Sequence, residues 1–93
     1  MPYEWLTAAF ADIVKHGIHE YEVLQVLGSQ CRLVKPMRHP TGLQVLAISG
    51  RTAAGRLLVV FVRRIGQFDS AIIGAREIPA AEREEFESWE SGQ

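Results

Sequence analysis

Eight basic side chains fall between Val23 and Arg76: Arg32, Lys35, Arg38, Arg51, Arg56, Arg63, Arg64 and Arg76, against one acid, Asp69. Cations gathered in this way bind phosphates, because neutralising a polyanion releases its counterions and steers encounter. From Glu77 onward the balance reverses, with six Glu against the single Arg83. The first 22 residues add Lys15 and the acids Glu4, Asp12, Glu20 and Glu22, so a net charge of −1 conceals a segregated distribution. The Glu-rich end is either a solvated helix face or a cover for the basic segment.

Other chemistry is sparsely represented. GRTAAGR (Gly50 to Arg56) lacks the spacing and the lysine of a phosphate-binding loop. His16 and His19 are separated by Gly17 and have no third partner, so no metal is expected, nor any other cofactor. Cys31 stands alone, which excludes an internal disulfide and predicts a buried thiol. Scattered aromatics give no base-stacking platform.

At 93 residues, 47% hydrophobic and 23% charged, the chain is expected to form one ordinary globular domain. No apolar run approaches the roughly 20 residues that span a bilayer. The opening MPYEWLTAAF has no basic n-region, so no signal peptide is predicted and the expected location is the cytoplasm.

The elements that must position these cations follow from periodicity. Leu6, Ala9, Phe10, Ile13 and Val14 recur at helical spacing and predict a helix from about Trp5 to Lys15, ended by Gly17 in the left-handed conformation. Tyr21, Val23, Leu24 and Leu27 predict a second, over His19 to Leu27, with Gly28 as its stop. Cys31 to Arg38, Leu43 to Ser49, Arg56 to Arg64 and Ser70 to Glu77 read as strands. The LLVVFV run in the third predicts a central strand covered on both faces. Pro79 suits a helix start, and Ala80 to Trp89 is the last helix, docking through Phe86 and Trp89. The expected fold is α+β: two N-terminal helices, a four-stranded meandering antiparallel sheet and a C-terminal helix, with the helices to one side.

Several segments, in order, resemble the BrnT family, the toxin half of a bacterial toxin–antitoxin pair with the RelE-like ribonuclease fold. They are Trp5, Lys15-His16-Gly17-Ile18 (KHGI), the acidic Glu20 and Glu22, Ile48 to Val62 (ISGRTAAGRLLVVFV) and Ile72 to Phe86 (IIGAREIPAAEREEF). The chain departs from that pattern at Ala71, where the family carries an arginine, and at Gly74, where it carries a serine. Glu77 replaces a basic residue and Phe86 a tyrosine.

The resemblance implies a metal-independent endoribonuclease acting on RNA and neutralised by a ribbon-helix-helix antitoxin. Cleavage of that kind removes a proton from a 2′-hydroxyl, stabilises charge growing on the phosphate and protonates the leaving oxygen. The implied catalytic residues are Lys15 and His16 for proton transfer and Arg51 and Arg76 for the phosphate, with Arg56, Arg63 and Arg64 as RNA-binding cations. The alternative, from another class, is a catalytically degenerate homologue that serves as a protein- or nucleic-acid-binding module. No oligomeric state is implied.

Overall fold

The structure, a computed structural model, describes residues 3–38, 42, 44–65 and 69–92. The element order is β1 (Tyr3–Trp5), α1 (Thr7–Lys15), α2 (Glu20–Leu27), β2 (Arg32–Arg38), β3 (Gln44–Arg51), β4 (Leu57–Arg64), β5 (Ser70–Glu77) and α3 (Ala80–Ser91). The stretch His39-Pro40-Thr41-Gly42, whose Pro and Gly suit a turn between the first two predicted strands, lies mostly outside the described residues, as do residues 66–68 between β4 and β5.

Two expectations are corrected. The sheet has five strands, in the order β1-β5-β4-β3-β2, and it is mixed, because β1 pairs parallel to β5 with Tyr3 opposite Ser70 and Trp5 opposite Ile72. Three residues are too few to show alternation, so this strand merges with the helical pattern that follows it. Leu6 is the extended residue between them, and the Trp5 ring stacks on Phe10 of α1 at 4.6 Å. The second correction concerns the helices, which lie on both faces of the sheet.

On one face, α1 and α2 bury Ile13, Val23, Val26 and Leu27 against Ile48, Leu58, Val60, Val62 and Ile72. On the other, α3 brings Phe86 onto Ala47, Leu57, Val59 and Ile78. Alternate residues of β4 feed the two clusters, so the LLVVFV run does occupy the centre of the sheet. Burying such a run on both sides is what removes its apolar surface from water.

Turns and caps are set locally. Gly17 has φ +68°, the left-handed position expected of it, and the Ile18 N–H bonds back to the Ile13 carbonyl at 2.8 Å to close α1. At the start of α2 the Glu22 carboxylate accepts from the His19 N–H at 3.0 Å. The β3–β4 hairpin closes through Thr52 N–H to Arg56 carbonyl at 2.8 Å and Arg56 N–H to Thr52 Oγ1 at 3.0 Å.

The outer strand β2 has a sheet neighbour on one side only and carries Pro36. Cys31, expected to be buried, is half-buried just before it. Among the described residues no helix is long and apolar enough to cross a membrane.

Candidate functional site

Strand register decides which cations share a face. Arg76 pairs with Val59, which places it on the α3 side of the sheet with Phe61. Its guanidinium lies 4.9 Å above the Phe61 ring centroid, an attraction of about 1 kcal/mol that holds a long side chain flat. Arg76 forms no ion pair with any other described residue. It lines a groove of about 350 Å³ between α3 and the sheet, together with Lys35 of β2, Ser49 of β3, and Glu82 and Glu85 of α3. Val59, Ile78 and Phe86 make the groove's apolar floor. Lys35 and Glu85 are joined by a hydrogen-bonded ion pair that bridges the groove.

Two cations, two carboxylates and a hydroxyl around an apolar floor can hold an anion and exchange protons with it. Among the described residues no group of three or more His, Cys, Asp or Glu is placed to hold a metal ion.

The other cations singled out from the sequence are placed elsewhere or already engaged. Arg51, beside the groove, donates to both Glu90 oxygens at 3.0 to 3.3 Å and to the Gly55 carbonyl at 3.1 Å, and lies 3.5 Å from Glu87. The Glu90 hydrogen bonds raise its pKa further, so it stays charged. Arg56 is on the opposite face. It donates to Glu77 at 2.5 and 3.0 Å, to Glu22 at 3.0 Å and to the Gly17 carbonyl at 3.0 Å. Glu22 is 7% exposed, and the His19 N–H, then Arg56, lower its pKa against a contrary push from burial. One carboxylate therefore caps α2 and fixes the β4 entry.

Lys15 and His16 do not meet Arg76. They end α1, whose Ile13 packs on the other face of the sheet. His16 Nδ1 is 2.8 Å from the Asp12 carbonyl, a bond back into its own helix. Arg63 and Arg64 leave the far end of β4 towards opposite faces, Arg63 opposite Ala71 and Arg64 opposite Ser70.

Glycine at position 74 has a steric basis. The Asp12 carboxylate accepts from the Ala75 N–H at 3.2 Å, and a Cβ on residue 74 would lie 2.5 Å from Asp12 Oδ2. No side chain fits there while Asp12 caps the bulged strand.

Lys35, Ser49, Glu82 and Glu85 were not singled out as site residues from the sequence. The signal for Lys35 and Ser49 is alternation: each shares a strand face with an apolar residue, Leu33 and Ala47. Nothing comparable marks the two glutamates until the helix that carries them is docked. No protein-family model matches the chain, and no curated protein is significantly similar to it.

Proposed function

We propose that this chain is the toxin of a toxin–antitoxin pair, a metal-independent endoribonuclease that works in the groove between α3 and the sheet. The observation that carries this reading is Arg76. It is held over Phe61, unpaired among the described residues, and it faces Lys35 and Glu82 across an apolar floor. A phosphodiester entering the groove would be neutralised by Arg76 and by Lys35 as Lys35 exchanges Glu85 for phosphate. Glu82 is the carboxylate available to take the 2′-hydroxyl proton, and Lys35 a donor for the leaving oxygen. Proton transfer thereby falls to groove residues in place of Lys15 and His16. The ribbon-helix-helix antitoxin implied by the resemblance would neutralise the protein by covering this groove, in the cytoplasm.

Induced expression with RNA integrity measured tests the reading, comparing wild type with Arg76→Ala and Lys35→Ala. Wild type should fragment RNA and slow growth, and Arg76→Ala should lose at least tenfold in cleavage rate. Intact RNA and normal growth with wild type would remove the ribonuclease. Equal cleavage by Arg76→Ala would leave the activity standing and displace it from the groove.

A second reading is favoured by a different observation. Lys35, Arg51 and Arg56 each face a glutamate inside the chain. A fold whose cations are internally neutralised suits a degenerate homologue that binds a partner without cleaving. Purified protein that binds RNA or an antitoxin yet leaves RNA whole would select it.

A further inference from the structure

α1 and α2 cover only part of their side of the sheet. Beyond them, a concave surface of about 820 Å³ opens over the far ends of the strands. Its rim is one row across the sheet: Arg38 pairs with Gln44, Arg64 with Ser70, and Ser70 with Tyr3. Its floor is aliphatic, built from Val34, Pro36, Leu46 and Val62. Val34 and Leu46 are 44% and 37% exposed, although both point to the face that is core elsewhere.

Charge separates this surface from the rest of the molecule. Lys35, Arg51 and Arg56 all meet glutamates, but among the described residues no Asp or Glu lines the cup. Arg38 and Arg64 form no ion pair with any described residue, and Arg32, the third arginine there, donates to the Leu27 carbonyl. The cup is thus an apolar floor with unanswered positive charge on its rim.

We infer that this cup docks an acidic amphipathic helix of another protein. Its aliphatic stripe would lie on Val34, Pro36 and Leu46, and its carboxylates would reach Arg38 and Arg64 in bidentate pairs. The dimensions agree. The row from Arg38 to Tyr3 crosses four strand spacings, roughly 19 Å, which is about 13 residues of α-helix. Arg38 and Arg64 stand two spacings apart, roughly 10 Å, so acids about seven residues apart on one helix face reach both. Nucleic acid suits the cup less well. Phosphates gain nothing from an aliphatic floor, and among the described residues Tyr3 is the only aromatic side chain lining it.

The probe is a synthetic 15-residue amphipathic helix with a leucine stripe and glutamates seven apart, compared with the same peptide carrying lysines and with oligouridylate. Anisotropy gives affinity, and amide shift changes give location. The glutamate peptide should bind at least tenfold tighter than the lysine peptide and shift the amides of Val34, Leu46 and Arg64. Arg38→Glu with Arg64→Glu, at exposed strand ends, should weaken it at least tenfold with a native amide spectrum. Leu46→Asp should do so without touching the rim. No binding, equal binding of both peptides, or shifts confined to the Arg76 groove would overturn the inference. So would oligouridylate shifting the cup amides at lower concentration than the peptide.

Discussion

The two faces of the sheet are covered by different means. Under α1 and α2 the contact is aliphatic and deep, with Val23, Val26, Leu58, Val60 and Ile72 all fully buried. Under α3 one fully buried ring, Phe86, does most of the packing, helped by Trp89 5.5 Å away, and ion pairs from Glu85, Glu87 and Glu90 supply the rest. Exposed pairs of this kind contribute only about 0–1 kcal/mol each. The difference teaches that one face holds the domain together, while the other holds a helix down over cations. A helix fastened by one aromatic and several screened charges is the element most readily lifted.

The largest test of that contrast is Phe86→Ala, expected to cost about 3 kcal/mol. Hydrogen exchange should show α3 losing protection while β4 and β5 keep theirs. Parallel loss across the sheet would mean the two faces unfold as one unit, and the distinction would fail.

Next come the two arginines of the β3–β4 hairpin. Arg56→Ala leaves the buried Glu22 carboxylate without its cationic partner and should cost about 2–3 kcal/mol in urea unfolding. Arg51→Ala breaks pairs with half-exposed glutamates on the α3 face and should cost below about 1 kcal/mol. Equal costs would erase the asymmetry.

Glu22 extends this contrast to pH. Its folded pKa lies below the ordinary 4.5, so its contribution is complete above that value and is lost as pH falls through the folded one. Glu22→Gln should flatten that part of the acid limb of the stability profile. An unchanged limb would place acid sensitivity elsewhere.

The last expected effect is that of Gly74→Ala. Crowding of the Asp12 carboxylate should cost about 1–2 kcal/mol, and Asp12→Ala in the same chain should return most of it. If the two losses simply add, the close approach is not what excludes a side chain at residue 74.

What could be read from the residues was whatever a local period or a single conformational demand expresses. LLVVFV declared a strand buried on both sides, the Leu6–Val14 spacing declared α1, and Gly17 declared a left-handed stop. β1 could not be read, because Tyr3 to Trp5 gains its ladder only when β5, some 67 residues later, lies beside it. The side taken by α3 was equally silent. A helix carrying Phe86, Trp89 and five glutamates needs an apolar surface, but its pattern does not say which of two. The candidate site inherits that gap. Arg76 was named because it matches a motif, but its neighbours in the groove are set by the docking of α3. Lys15 and His16 were grouped with it on the strength of that motif's roles, and a sheet now stands between them.

Pro36 has a consequence for the life of the molecule in a crowded solution. The outer strand β2 is an open margin seven residues long, the kind of border on which another chain can add a strand and begin a stack. Pro36 has no amide hydrogen to offer a further strand, and Arg32 and Arg38 add positive charge along the border, where Lys35 is paired with Glu85. Two copies brought margin to margin would meet repulsion and a missing rung. These features oppose the addition of a further strand at this margin.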